Sequence, residues 1–105
     1  MVQEDAAEEQ RRSELAAAYA GLESARRELR LHLDGLKSRT GGLEFPPEQA
    51  RAIGRDMQQG YGLLSNAPLL GAFNSVEDVE RERMRIAAMR VKLGEVDKLI
   101  DEAGK

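Results

Sequence analysis

Two sets of apolar residues recur every seven positions, one in each half of the chain. The first set is Leu15, Leu22, Leu29 and Leu36, and the second is Val79, Ile86, Leu93 and Ile100. A spacing of seven places the members of each set along one side of an α-helix, as in a coiled coil. The sequence therefore predicts two long helices whose apolar stripes form a helix-pairing seam.

Capping residues and glycines give the boundaries of these helices. No proline interrupts residues 4–39, and Gly41 and Gly42 follow, which favours a helix end with a left-handed glycine cap. Ser75 precedes acidic residues and suits the N-cap of a second long helix over 75–103.

The two stripes have equal length, which favours an antiparallel helical hairpin. In this arrangement Leu15 would face Ile100 and Leu36 would face Val79, either within one chain or between two. The fold class that we predict is all-α, a coiled-coil-like hairpin with an inserted segment, which together form a small helix bundle of one domain, 1–105.

The inserted segment, residues 40–74, is too long for a simple connection between helices. Pro46 and Pro47 suit a helix start, and we expect a short helix over 47–59 that ends at the glycines near Tyr61. The residues after it are apolar but contain turn-forming Asn, Pro and Gly, which predicts an apolar loop.

The composition supports an all-helical fold and excludes several function classes. Hydrophobic residues make up 41% of the chain but aromatic residues only 4%, so leucine and alanine supply most of the apolar surface. The absence of cysteine excludes disulfide scaffolds and thiolate metal sites. The polar, acidic start and the lack of a long apolar run favour a cytoplasmic protein without a membrane span. The preference for arginine over lysine is typical of GC-rich coding and favours a bacterial source.

Two features suggest chemistry on first inspection, and neither forms a site. His32 is the single histidine, and Glu28 lies one turn before it, but no nucleophile pairs with them in the sequence. We expect His32 at the margin of the seam. Gly54, Gly60 and Gly62 lack the Gly-Lys-Ser/Thr of a phosphate-binding loop, so turn and cap roles are expected. The sequence thus predicts no enzyme, no cofactor and no metal.

Basic residues form a column beside the first leucine stripe. The column holds Arg12, Arg26, Arg30 and Lys37, but Glu8 and Glu23 interrupt or flank it. The net charge is −3. Ion pairs along the helix margins are expected, and nucleic acid is not favoured as the main partner.

Both long helices also carry a second face, roughly opposite the seam. On the first helix it consists of Ala17, Gly21, Ser24, Leu31 and Gly35, and on the last helix of Met84, Ala87, Ala88 and Val91. An isolated two-stranded coiled coil needs only one apolar face. The middle helix and apolar loop of the same chain would cover part of this surface and complete a three- or four-helix bundle. Because they are short, we also expect another copy or another protein to cover part of it.

The function expected from these features is protein binding without catalysis. The chain is interpreted as a small regulatory or adaptor protein, anti-activator or chaperone-like, that acts as a homodimer and binds another protein. The candidate partner-binding residues are Tyr61, Leu63, Leu64, Leu69, Leu70, Phe73, Met84 and Val91. A component of a higher oligomeric assembly is the alternative, and nucleic-acid binding through the arginine columns is a further one.

Overall fold

The computed structural model describes residues 2–105, and side chains from residue 5 onward, so residue 1 of the predicted domain lies outside the described residues. It contains three α-helices: α1 (Val2–Thr40), α2 (Pro47–Ser65) and α3 (Val76–Ala103). A single 3₁₀ turn, Leu70–Ala72, lies between α2 and α3. The prediction of an all-α small helix bundle is confirmed.

The two long helices run parallel to each other. Glu28 of α1 pairs with Arg90 of α3 at 3.1 Å, and Arg39 pairs with Asp101 at 2.8 Å. Both pairs join residues 62 positions apart, so residue numbers rise together along the two helices. The antiparallel neighbour of each long helix is α2 instead. The expected antiparallel pairing of the two long helices, with Leu15 facing Ile100, is therefore wrong.

The direction of α3 follows from the length of the middle helix. α2 carries the chain back along the bundle, and the link after it continues in the same direction, so α3 starts level with the early part of α1. Contacts of α2 show this reversal: Tyr61 donates to Asp34 at 2.7 Å, and Lys92 donates to Gln59 at 2.9 Å. The result is an up-down-up bundle, in which α1 and α3 run in one direction and α2 runs in the other.

The heptad stripes nevertheless form the core. Residues of α3 have numbers about 62 higher than their neighbours on α1. This difference aligns the two parallel stripes, so Leu22 comes level with Ile86 and Leu29 with Leu93. All the seam residues except the half-buried Leu15 are buried: Leu22, Leu29, Leu36, Val79, Ile86, Leu93 and Ile100. The core also takes residues outside the two stripes, namely Leu33, Ile53, Phe73, Met89 and Val96.

α2 runs six residues beyond its predicted end at residue 59. The expected turn and cap roles of its glycines are wrong, since Gly54, Gly60 and Gly62 all lie inside the helix. No described glycine has a positive φ, so the end of α1 before Gly41 also forms without a left-handed cap. Glycine is needed at position 60 for another reason: a Cβ there would lie 2.8 Å from Cδ2 of the buried Leu33.

Replacing Gly60 by alanine is expected to lower the free energy of unfolding. The overpacking cost of about 1–3 kcal/mol exceeds the gain of about 1 kcal/mol in helix propensity. Gly54→Ala is the matched control, because nothing lies within 4 Å of a Cβ at that position. The control should raise the stability by about 0.5–1 kcal/mol. Urea unfolding followed by circular dichroism measures both changes, and stabilisation by both substitutions would contradict a close approach of α1 and α2.

The other predicted boundaries agree with the structure. α1 ends at Thr40, and Pro47 is the first residue of α2. The side chain of Ser75 accepts a hydrogen bond from the backbone N–H of Asp78 at 3.2 Å, which is the expected N-cap of α3.

The N-terminal end of α1 extends past the other helices. The bundle measures 66 × 18 × 16 Å, and residues 5–14 are exposed. Glu8 occupies the heptad position that leucine fills further along and Arg11 the one that alanine fills, so this part of α1 offers no apolar stripe for pairing. The buried core thus begins near Leu15, where α3 starts.

Candidate protein-interaction surfaces

The fold itself uses half of the predicted partner-binding residues. Phe73 is buried and packs against Tyr19, with the ring centroids 6.0 Å apart. Tyr61, Leu63 and Leu64 are half-buried because α2 continues through them and turns them toward the core. These side chains therefore stabilise the bundle, and the expected apolar loop is reduced to the short link after Ser65.

The remaining four predicted residues lie on different sides of the bundle. Leu69, 73% exposed, lines a notch between α1 and α2, and Leu70 is on the 3₁₀ turn. Met84 and Val91 are exposed residues of α3 and are 70% and 77% exposed. The structure thus does not form one continuous surface from the set.

One side of the bundle brings the second faces of both long helices together. Leu31 lies two positions from the buried Leu29 and Leu33, so it points away from the core. Val91 and Met84 likewise lie on the solvent side of α3, next to the arginines that reach toward α1. Leu31, Met84 and Val91 are exposed to 72%, 70% and 77%. We call this side the outer face, and its other members are Ala17, Gly21, Ser24, Gly35, Ala87 and Gly94.

Small residues lie between the large ones of the outer face and leave open positions there. A Cβ at Gly35 or Gly94 would have no atom within 4 Å, and one at Gly21 would meet only the end of the Arg83 side chain at 3.7 Å. Ala88, which was expected on this face, instead lines the groove between α2 and α3. Large apolar groups beside open positions give the face a relief that another helical surface can match.

Polar side chains join α1 to α3 across the outer face. Near its centre the Glu28–Arg90 ion pair crosses between the helices at 3.1 Å. Toward the C-terminal ends of α1 and α3, His32 Nε2 lies 2.8 Å from Asp97 Oδ2. Asp97 also accepts a hydrogen bond from Arg39 at 3.1 Å. His32 is thus at the seam margin, as predicted, while Glu28 pairs with Arg90 rather than with it. Within residues 5–105, no cluster of three carboxylate or imidazole side chains is placed to hold a metal ion.

A second candidate surface is the notch between α1 and α2, which has a volume of about 280 Å³. One wall is basic and consists of Arg26, Arg27 and Arg30, with Glu23 beside them. The opposite wall is apolar and consists of Leu64, Ala67 and Leu69. We call this surface the arginine notch, and it contains two members of the predicted basic column.

Arg26 is the unusual residue of the arginine notch. Only 9% of its side chain is exposed, and its Cζ lies 5.7 Å from the centroid of the Tyr19 ring. Its Nε and Nη2 atoms are buried and have no hydrogen-bond partner among the described residues. The nearest carboxylate, that of Glu23, is 3.7 Å from Nη1, which is too long for a hydrogen bond.

The hydroxyls of two tyrosines, Tyr19 and Tyr61, interact with carboxylates of α1. A hydrogen bond to Glu23 raises the pKa of Tyr19 above its usual value, and burial adds to the effect. The hydrogen bond that Tyr61 donates to Asp34 raises the pKa of Tyr61 in the same way. The Asp34 carboxylate, one turn after Arg30, is thus engaged by a phenol.

A third opening lies between α2 and α3 and has a volume of about 590 Å³. Leu63, Pro68, Ala88 and Met89 supply its apolar lining, and Lys92 and Arg85 lie at its edge. Lys92 is also held by Gln59 at 2.9 Å. This groove is a shallow gap along the two helices.

The sequence also contained a pattern that predicts the burial of Arg26 and Leu33, apart from the two heptad stripes. Tyr19, Arg26 and Leu33 are also spaced by seven, each one turn after a seam leucine. A second stripe beside the first indicates a helix with two packing partners rather than one. These positions therefore indicate that a third helix packs on α1.

No helix in the described part of the chain is both long and apolar enough to cross a bilayer. Comparison of the chain with protein families, with curated proteins and with solved structures gives no match.

Proposed function

We propose that the protein is a non-enzymatic protein-interaction module that acts as a homodimer, with the outer face as the dimer interface. The observation that carries this proposal is the exposure of three large apolar side chains on the solvent sides of α1 and α3, since Leu31, Met84 and Val91 are each more than two-thirds exposed. Exposed apolar side chains that cluster on one face are typical of protein interfaces.

The sizes of the side chains on α3 favour a second copy as the occupant. When two copies of α3 cross antiparallel with Met89 at the centre, residues equally far from Met89 come opposite one another. Met84 then lies opposite Gly94 of the second copy, and Val91 lies opposite Ala87. Each large side chain thus meets a small one, as ridges meeting grooves require.

The same placement gives a consistent match on α1. Met89 lies level with Arg27 of α1, since neighbouring residues of the two helices differ by 62 in number. Leu31, four residues after Arg27, then comes level with Glu23 of the second copy, and the small residues Gly21 and Ser24 lie beside that position. A leucine against two small residues lets the two α1 helices approach closely.

Charges beside the apolar residues also match in the antiparallel arrangement. Glu80 and Lys98 are equally far from Met89, and so are Arg83 and Glu95, so each would meet an opposite charge. Within one copy these residues pair only with near neighbours, Glu80 with Arg83 at 3.8 Å and Lys98 with Glu95 at 3.5 Å. Such complementarity favours one orientation over others.

The size of the outer face suits a dimer of modest affinity. From Ala17 to Ser38 it is about 32 Å long, and two helices side by side are about 20 Å wide. This area, about 600 Å² per copy, approaches the roughly 800 Å² per partner of a standard interface. We therefore expect a reversible dimer rather than a permanent one.

A mass measurement in solution tests the proposal. Sedimentation equilibrium over a range of concentrations should give a mass that rises toward twice 11.6 kDa and no further. A ring or filament would favour the alternative, a component of a larger assembly. A mass of 11.6 kDa at every concentration would contradict the dimer.

A further inference from the structure

The buried guanidinium of Arg26 lacks the partners that such a group needs. Two of its nitrogens, Nε and Nη2, are buried without a hydrogen bond, and Glu23 lies beyond hydrogen-bond distance from Nη1. Buried N–H groups that are left without acceptors weaken a fold, although the Glu23 carboxylate balances part of the charge. The Tyr19 ring supplies only part of the compensation. Arg26 therefore retains the capacity to bind an anion.

The surroundings of Arg26 indicate which anion would fit. Arg30 lies one helical turn further along α1, in the same notch, and has no carboxylate within 4.0 Å among the described residues. Two guanidinium groups on one side favour a carboxylate or a phosphate. The opposite wall, formed by Leu64 and Leu69, favours an apolar group next to the anion.

The shape and the charge of the notch favour a peptide over a nucleic acid. The Tyr19 ring is covered by Arg26 and Phe73 and so cannot stack on a base. Glu23 lines the same notch and would repel a long polyanion. A volume of about 280 Å³ holds a few side chains.

We infer that the arginine notch binds an acidic segment of another protein, with a carboxylate on Arg26 and Arg30 and a neighbouring apolar side chain on Leu64 and Leu69. The inference rests on the proposed function for the class of its ligand, but it uses a surface separate from the dimer interface. The mass measurement tests the dimer and a peptide titration tests the notch, so that each can fail alone.

The probe is a short fluorescein-labelled peptide of repeated Glu-Glu-Leu units, titrated with the protein and followed by fluorescence polarisation. We expect saturable binding that is lost when glutamine replaces every glutamate and is weakened when serine replaces every leucine. A single-stranded oligonucleotide of equal charge should bind more weakly than the peptide. Tighter binding of the oligonucleotide would overturn the inference, as would the absence of saturable binding of the peptide.

Three variants separate the notch from general electrostatic attraction. Arg30→Ser, at an exposed position, should weaken peptide binding about tenfold, as expected for a lost charge-assisted hydrogen bond. Arg85→Ser removes the same charge at the α2–α3 groove and should change the affinity less than about twofold. Equal losses in these two variants would contradict a defined site.

Arg26→Met provides a readout that a purely structural role would not give. The methionine keeps the contact with Tyr19 and removes two buried N–H groups that lack hydrogen-bond acceptors, so the melting temperature should stay the same or rise. Peptide binding should fall at least about tenfold in the same variant. A fall in the melting temperature with unchanged peptide affinity would show that Arg26 stabilises the fold and does not bind the ligand.

Discussion

A chain that carries Leu31→Glu together with Val91→Glu is expected to be a monomer of 11.6 kDa at concentrations at which the unaltered chain is a dimer. Both side chains are exposed in the single copy, so the fold tolerates the change. In the dimer, four carboxylates would be placed among apolar groups with no partner. Each unpaired buried charge costs several kcal/mol, so association should weaken at least about a thousandfold.

Leu69→Glu is the matched control for this experiment. Leu69 is as exposed as Leu31 and Val91 but lines the arginine notch, away from the outer face. The control should keep the mass of the dimer, and circular dichroism should show the same helix content in all variants. If Leu69→Glu dissociates the dimer and the double variant does not, the interface lies on the link between α2 and α3.

Truncation of the core gives the second large effect. Leu29→Ala is expected to lower the free energy of unfolding by about 2–5 kcal/mol, because Leu29 is fully buried between α1 and α3. A chain of this size has a total stability of about 5–15 kcal/mol, so the variant would be marginal. Urea unfolding at one fixed protein concentration measures the change, since dimerisation makes the apparent stability depend on concentration.

Leu33→Ala distinguishes the three-helix bundle from a two-helix hairpin. Leu33 lies outside the heptad stripe but is as buried as Leu29, because α2 packs on it at Gly60. We expect a loss of stability similar to that of Leu29→Ala, whereas a hairpin would tolerate the change. The exposed Leu69→Ala is the control and should change the stability by less than about 0.5 kcal/mol.

The heptad pattern was sufficient to predict the long helices and most of the core. It could not fix their direction, because Leu22 and Leu29 match the α3 stripe in parallel as well as in antiparallel order. The direction depends on the length of α2, and the glycines at 60 and 62 concealed that length. Gly60 is inside a helix because it faces Leu33, and this is a tertiary contact that local propensity does not report.

The candidate surfaces could be predicted only in part. Leu31, Met84 and Val91 stood out as apolar residues off the seam, and the parallel arrangement then placed them on one face. Phe73 looked equally available in the sequence but is buried against Tyr19, because the link after α2 folds onto α1. The burial of Arg26 was also hidden, since a heptad count treats an arginine beside the stripe as a solvated charge.

Disulfide cross-linking tests most directly whether a second copy covers the outer face. The chain has no cysteine, so introduced thiols are the only ones present. A mixture of Ala87→Cys and Val91→Cys chains should form a covalent dimer under mild oxidation, because these positions lie opposite each other in the antiparallel arrangement. A mixture of Ser24→Cys and Ala87→Cys chains should stay uncoupled, and peptide mapping by mass spectrometry identifies the joined residues. Linkage of position 24 to 87 alone, or no linkage in either mixture, would contradict the proposed dimer.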